Sequence, residues 1–187
     1  MTSAYEIWID ALVRSYTGER CGVRLGASYA DVLKWLPMMR PYPTGPDHDA
    51  DEVRWAGCAV THVVYTLNDY SAYNLSPAWL PQEFAFLMGQ AEQAVVRDDI
   101  DMLGEFLDTL KSFGLSDTHP LIQTGMRHVL SQQHPDGGWG DPESDDVYLR
   151  YHPTWTAIDG LREYAWRGTR ISFPALRPFL TQCAAPT

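Results

Sequence analysis

Two histidines lie at equivalent positions of two similar stretches of the sequence. Residues 62–69 read His-x-x-Tyr-Thr-x-x-Asp, and residues 152–159, which begin ninety positions later, read His-x-x-Trp-Thr-x-x-Asp. This distance equals two repeats of about 45 residues, a length typical of stacked helical hairpins. Glu105 holds nearly the same position in the repeat between them, in a stretch that reads Glu-x-x-Asp-Thr-x-x-Ser. We therefore predict that His62, Glu105 and His152 lie at equivalent points of three successive helices.

Two imidazoles and one carboxylate are the ligand set of non-haem Fe(II) oxygenases, which keep coordination positions open for substrate and O₂. Packed helices lie about 8–10 Å apart, so side chains from three of them can converge on one ion. We predict that His62, Glu105 and His152 bind one divalent metal, with Fe(II) first and Zn(II), a Lewis acid, second. Asp108 is an alternative carboxylate. Cys58, one turn before His62, is a further candidate ligand that would favour zinc.

The same helix faces carry residues that could act on a substrate or contact it. Tyr65, Asp69 and Asp159 are predicted to be catalytic, the two aspartates by orienting metal ligands. The alternative is that both aspartates serve only as structural caps and pairs. Tyr65, Tyr151 and Trp155 are predicted to bind the substrate, because aromatic walls with polar ends suit a small apolar or aromatic molecule. Aromatic residues at helical spacing can equally form part of the core.

Helices must position these residues, because apolar residues recur with a helical period and strict alternation is missing. We predict eight helices separated by polar joints or by joints rich in proline and glycine. The third, fifth and seventh form an inner row that carries the three candidate metal ligands. The predicted helices cover residues 4–16, 29–39, 51–70, 78–96, 100–113, 120–133, 147–166 and 173–182.

A loop motif predicts how the helices are arranged. Residues 133–139 read Gln-x-x-Asp-Gly-Gly-Trp; the glycines permit a tight turn, and Trp139 can cover the joint between two hairpins. The motif resembles the QW repeat of the squalene cyclases and the protein prenyltransferase β-subunits. In the prenyltransferases a zinc-binding histidine follows such a loop, and His152 matches its position. The resemblance implies an all-α, shortened and divergent member of this α/α-toroid class.

The toroid resemblance also implies a domain organisation. Residues 1–187 would form a single helical domain, in which residues 1–45 supply lead-in helices. Residues 46–187 would form three hairpin units, each with an inner and an outer helix, arranged as an open half α/α-toroid. Because a shortened toroid exposes the ends of its hairpins, we also predict a homodimer that covers them.

The net charge and the sequence of the first residues limit which partners are expected. The chain has 14 Lys and Arg against 24 Asp and Glu, a net charge of −10, which argues against nucleic acid and against anionic lipid. The first residues have neither the basic nor the apolar region of a signal peptide, and no apolar run is long enough to span a membrane. The three cysteines do not suggest a disulfide framework, so a cytoplasmic location is predicted.

Together these patterns predict a metal-dependent enzyme that acts on a small apolar or aromatic metabolite. The expected reaction is an oxidation of the non-haem Fe(II) type, and a zinc-dependent lyase or hydrolase is the second choice. Two alternatives remain open at this point. One is a metal-free protein similar to terpene cyclases or prenyl-binding proteins, and the other is a non-catalytic helical-repeat module that recruits a partner.

Overall fold

The computed structural model describes residues 2–184 of the chain, so the predicted domain limits, residues 1 and 187, lie outside the described range. The described part is all-helical, as predicted; it contains no strand and only one isolated bridge, between Asn74 and Thr169. None of its helices is long and apolar enough to cross a membrane. The helices are α1 (Ala4–Cys21), α2 (Tyr29–Leu33), α3 (Ala50–Leu67), α4 (Pro81–Val96), α5 (Ile100–Ser112), α6 (Pro120–Ser131), α7 (Val147–Leu161) and α8 (Arg177–Ala184).

Several helix ends differ from the predicted ones for local reasons. Helix α2 ends at Leu33 and is followed by a 3₁₀ turn, Leu36–Met38, because Pro37 lacks the backbone N–H that a continuing helix needs. Helix α3 ends at Leu67, three residues earlier than predicted, since the chain then enters a left-handed turn. Helix α7 ends at Leu161 and not near residue 166, because the next residue has an extended backbone.

Helix α5 is the centre of the fold. Every residue from Asp101 to Ser112 is buried, and α5 packs against α3, α4, α6 and α7. Its most intimate neighbour is α7, because two glycines let the two backbones touch. A Cβ atom on Gly104 would lie 2.4 Å from the carbonyl carbon and oxygen of Thr156, and one on Gly160 would lie 2.9 Å from the Gly104 carbonyl oxygen. The residues of α5 and α7 that face each other are therefore held at short range.

The loop between α6 and α7 is fixed by the residues of the glycine–tryptophan motif. Trp139 is buried, and its indole N–H donates to the Val129 carbonyl at 2.8 Å. The Gln133 side-chain amide donates to the Gly137 carbonyl at 2.8 Å. The Thr154 hydroxyl accepts from the Trp139 backbone N–H at 2.9 Å and donates to its carbonyl at 2.8 Å. These bonds tie the loop to the first turns of α7, where the second histidine of the repeat, His152, lies.

Candidate functional site

A cavity of about 340 Å³ lies where α3, α5 and α7 meet the turn that follows α3. We call it the site cavity. Its volume falls in the range of small-molecule sites, roughly 300–1,000 Å³. Most of the residues predicted from the histidine repeat line this cavity, and so do several residues that the repeat does not indicate. The lining consists of His62, Tyr65, Tyr70, Ser71, Glu105, Asp108, His152, Trp155, Thr156, Asp159 and Arg162.

His152 on α7 pairs with Asp101 at the start of α5. Its Nδ1 lies 2.6 Å from the Asp101 carboxylate, which also accepts bonds from Thr156 at 3.1 Å and Arg54 at 2.7 Å. Burial alone would lower the pKa of His152, but the hydrogen bond and charge of Asp101 outweigh it and raise that pKa. Burial would raise the pKa of Asp101, but its bond to His152 lowers it overall. With Nδ1 bound to Asp101, Nε2 is the nitrogen left for a ligand.

The ring of His62 on α3 is oriented in the same way as that of His152, through Nδ1, but by a different partner. Its Nδ1 lies 2.7 Å from the Cys58 carbonyl oxygen, and since a carbonyl only accepts, Nδ1 carries the proton. The Nε2 atom is again the free nitrogen. Cys58 itself is not part of the cavity lining; burial strongly raises the pKa of its thiol, and its Sγ contacts the Met102 sulfur at 3.6 Å.

Glu105, on α5, is a buried carboxylate with 5% of its surface exposed. The Thr61 hydroxyl donates to its Oε2 at 2.5 Å, and within residues 2–184 nothing donates a hydrogen bond to Oε1. Burial raises the pKa of Glu105, although the positive charge of His62 and the Thr61 bond oppose the shift. The protonated acid is therefore easier to form here than in water.

Asp108 lies one turn beyond Glu105 on the same helix and is 2% exposed. Its two carboxylate oxygens accept from the Ser71 hydroxyl at 3.0 and 3.3 Å. Burial raises the pKa of Asp108 from 3.8 to about 6. Burial and the nearby charges of Asp108 and Glu105 also raise the pKa of Tyr65 well above its ordinary value, so this phenol stays protonated at neutral pH.

The turn after α3 forms one wall of the cavity from three consecutive left-handed residues. Asp69, Tyr70 and Ser71 have φ values of 60°, 50° and 65°, a conformation that costs about 1–2 kcal/mol for each residue with a side chain. Local bonds hold it: the Tyr70 N–H donates to the Tyr65 carbonyl at 2.8 Å, and the Ser71 N–H donates to the Asn68 side chain at 2.8 Å. Backbone strain of this kind concentrates at functional sites.

The structure separates two predicted site residues from the others. Asp69 does not line the site cavity; it accepts hydrogen bonds from Tyr16 at 2.5 Å and Arg20 at 3.3 Å on another side of the turn. The prediction assumed that α3 continues through Asp69, and its early end turns this side chain away. Tyr151 also lies outside the lining; it is 47% exposed, and its ring meets that of Tyr148 edge-on at 5.8 Å.

The other predicted residues line the cavity. They include His62, Glu105 and His152, the predicted metal ligands, and the alternative carboxylate Asp108. Tyr65 and Trp155, predicted to contact substrate, and Asp159, predicted to be catalytic, lie there too; Asp159 forms an ion pair with Arg162 at 3.3 Å.

Sequence reasoning missed five residues that complete the site: Asp101, Thr156, Tyr70, Ser71 and Arg162. Asp101 lies in the first turn of α5, where acids commonly favour a helix start, yet its spacing of four from Glu105 places both on one helix face. Thr156 has a counterpart at the same place in the other histidine repeat, Thr66, and this recurrence is a signal for its role. Tyr70 and Ser71 gave no signal, because their places depend on the left-handed turn.

The described side chains are not arranged as the predicted metal site requires. Within residues 2–184, no three His, Cys, Asp or Glu side chains are arranged so that they could hold a metal ion. The ligand types are present in the site cavity, but their positions do not form a coordination shell. The Fe(II) or Zn(II) site stays a prediction.

Comparisons with known proteins identify no relative: no family model, no curated protein and no solved structure matches this chain.

Proposed function

We propose that the protein is an enzyme that carries out acid–base chemistry on a small organic molecule bound in the site cavity. The observation that supports this best is the His152–Asp101 pair, 2.6 Å apart, which opens onto the same cavity as the buried Glu105. Enzymes place two titratable groups in environments that shift their pKa values differently, so that one can take a proton and the other can give one.

The roles follow from the hydrogen bonds. The imidazolium of His152, which the Asp101 carboxylate stabilises at Nδ1, gives a proton from Nε2 to the bound molecule. The Glu105 carboxylate, whose affinity for a proton is raised by burial, takes a proton from a second atom of the same molecule. Positioned groups of this kind typically accelerate a reaction by about 10²–10⁴-fold each.

This proposal predicts that two substitutions abolish turnover. Purified protein would be incubated with a mixture of small metabolites, and their consumption would be followed by mass spectrometry. We expect His152→Ala and Glu105→Gln each to slow consumption of the compound used by the wild type by at least about 100-fold. His48→Ala, a change of an exposed histidine outside the cavity, should leave the rate unchanged. Turnover that survives in both cavity variants would contradict the proposal.

Metal-dependent chemistry is the second candidate, and one observation favours it. Both His62 and His152 engage Nδ1 with an oxygen acceptor, at 2.7 and 2.6 Å, which is how metal-binding histidines are usually oriented. Glu105 would supply the third ligand. A bound Fe(II) or Zn(II) ion would contribute Lewis-acid or redox chemistry at the free Nε2 atoms, but the side chains would first have to move into a coordination shell.

Metal analysis separates the two candidates. If the metal proposal is right, protein purified without a polyhistidine tag and loaded with Fe(II) under anaerobic conditions, or with Zn(II), should retain about one ion per chain by elemental analysis. His62→Ala and His152→Ala should lose that ion, and His48→Ala should keep it. Protein that retains no ion after either treatment, yet consumes its substrate, would exclude the metal proposal in favour of metal-free acid–base catalysis.

We also propose that the fold is an open half of an α/α-toroid. The support is that α5 contacts both α3 and α7, as neighbours of an inner row would, while α4 and α6 contact each other as outer helices. Helix α7 ends the row with an exposed apolar surface that includes Val147, Tyr151, Trp155 and Ile158. A second copy of the chain covering this surface, as the homodimer prediction requires, stays a prediction, and so do the alternatives of a prenyl-binding protein and an interaction module.

A further inference from the structure

We propose that the molecule bound in the site cavity carries a protonated amine, and that the carboxylates of Glu105 and Asp108 bind this ammonium group beside the rings of Tyr65 and Tyr70. This inference rests on the proposed function, because it names the class of substrate for the same site. Three observations support it: the unequal charges around the cavity, the spacing of the two carboxylates, and the aromatic rings in the cavity lining.

The charges around the cavity are unequal. Among the described residues, three carboxylates line it, and the one permanent cation of the lining, Arg162, already pairs with Asp159 at 3.3 Å and lies 4.4 Å from the centre of the Tyr164 ring. Within residues 2–184, no Lys or Arg forms an ion pair with Glu105 or Asp108. Buried charges in proteins are normally paired, so a cation supplied by the ligand would complete the pairing.

The histidines fill this role only when they are protonated. A positive charge on His62 would act on Glu105, and one on His152 is shared with the Asp101 carboxylate, to which it is bonded at 2.6 Å. Among the described residues, hydroxyl groups donate to these two carboxylates: Thr61 donates to Glu105, and Ser71 and Tyr164 donate to Asp108. In addition, the hydrogen bond that Thr61 donates to Glu105 goes to Oε2, and this glutamate lines the cavity. The other carboxylate oxygen, Oε1, is therefore available to a donor on the ligand.

The two carboxylates are placed to share one ammonium group. Residues three apart on a helix are neighbours, with Cβ atoms about 5–6 Å apart, and both side chains open into the same cavity. An ammonium group has three donors and no acceptor. A single group between Glu105 and Asp108 can therefore donate to both of them, whereas a neutral hydroxyl has one donor to give.

The aromatic residues of the cavity add a second contribution. The rings of Tyr65 and Tyr70 are nearly parallel, 14° apart, with their centres 5.9 Å from each other. Trp155, 60% exposed, adds an indole at the rim. Aromatic rings attract cations to their faces and enclose the carbon skeleton that bears the amine. The volume of about 340 Å³ suits one ring or a short carbon chain.

Binding of a cation should be linked to pH. An ammonium group favours the ionised form of each carboxylate, so binding releases protons where the free protein holds them. Burial raises the pKa of Asp108 to about 6, and affinity should therefore increase from pH 5 to pH 7.5. The other cavity groups whose pKa values are raised act in the same direction: His152, Asp159 and Glu105 all lose protons as the pH rises. His62 also lines the cavity.

The test uses equilibrium binding of defined probes to the full-length protein, by calorimetry or ligand-observed NMR. The probes are benzylammonium and butylammonium, with benzyl alcohol and butanol as neutral analogues and benzoate as an anion. At pH 7.5 we expect at least one ammonium probe to bind at least tenfold more tightly than its alcohol, and benzoate to bind most weakly. Glu105→Gln and Asp108→Asn should each reduce that preference about tenfold.

Matched controls separate this result from a general loss of negative charge. Glu143→Gln and Asp47→Asn make the same chemical changes at exposed positions and should keep the wild-type preference. Equal binding of the ammonium and alcohol probes in both series, or a preference unchanged in both cavity variants, would overturn the inference. Failure of the proposed function looks different: ammonium probes would still bind with the expected preference, while His152→Ala would turn over substrate like the wild type.

Discussion

Asp108→Asn should raise the free energy of unfolding by up to about 3 kcal/mol at pH 8 and by almost nothing at pH 4. Burial raises the pKa of Asp108 from 3.8 to about 6 in the folded protein, and each unit corresponds to about 1.4 kcal/mol. The folded state binds this proton more tightly than the unfolded state. The stabilising effect of the proton is therefore complete below about pH 4 and is lost as the pH rises through 6.

Asparagine removes the charge and keeps an oxygen that can accept from Ser71. The variant should consequently match the wild type at pH 4, where Asp108 is a neutral acid, and exceed it at pH 8, where the wild type must bury a carboxylate. Urea denaturation at the two pH values measures the difference. Asp47→Asn, at an exposed position, should show no such dependence on pH. A variant less stable than the wild type at pH 8 would mean that the Asp108 charge is compensated in a way the structure does not show.

A gain in stability at this position would also be informative about function. Residues that destabilise a fold are retained where activity needs them. Combined with the loss of ammonium binding expected for the same variant, it would identify Asp108 as a residue kept for the ligand.

Gly104→Ala should destabilise the protein by about 3 kcal/mol or more. The added Cβ would lie 2.4 Å from the Thr156 carbonyl carbon and oxygen and 2.8 Å from the Ala157 backbone nitrogen. These are backbone atoms of a regular helix, so no flexible side chain can move aside. Overpacking of a core typically costs about 1–3 kcal/mol, and contact with a rigid backbone places this case at or above the upper end.

The same substitution should disturb the site, because Asp101 and His152 lie on the two helices that it pushes apart. Their 2.6 Å contact raises the pKa of His152, so in the variant this pKa should fall, which an NMR titration of the imidazole would detect. Gly89→Ala is the matched control: a Cβ there meets nothing within 4 Å, and replacing a helical glycine should stabilise α4 by about 0.8–1 kcal/mol. Equal stability of the two variants would show that α5 and α7 pack less closely than described.

The repeat of the histidine pattern predicted much of the site, since it compares positions within similar helices. His62, Glu105 and His152 line one cavity because α3, α5 and α7 are neighbours, as their spacing indicated. The pattern gives a wrong prediction where the helix that it assumes has already ended. Asp69 keeps its place in the repeat but lies beyond the end of α3, and a left-handed backbone directs it to Tyr16.

Other features depend on contacts between distant segments, which periodicity does not describe. The Asp101–His152 pair joins residues 51 positions apart, and the role of Ser71 follows from a turn formed by three residues with side chains in the left-handed region. Periodicity also divides α5 into an apolar and a polar face without indicating what the polar face meets. Glu105 and Asp108 lie on the polar face, and every residue from Asp101 to Ser112 is buried.

The glycine contact between α5 and α7 limits how the cavity can adapt to ligands of different size. Helices whose backbones touch cannot approach further, and they separate only by losing that contact, so these two walls act as one rigid unit. The third wall, α3 and its turn, meets α5 through side chains and not backbone to backbone: Met102 and Phe106 pack against Gly57, and Thr61 bonds to Glu105. A larger ligand would therefore be accommodated by displacement of α3 and its turn. We therefore expect α3 and its turn to determine which sizes of ligand fit, while the His152–Asp101 geometry stays constant on the opposite side of the cavity.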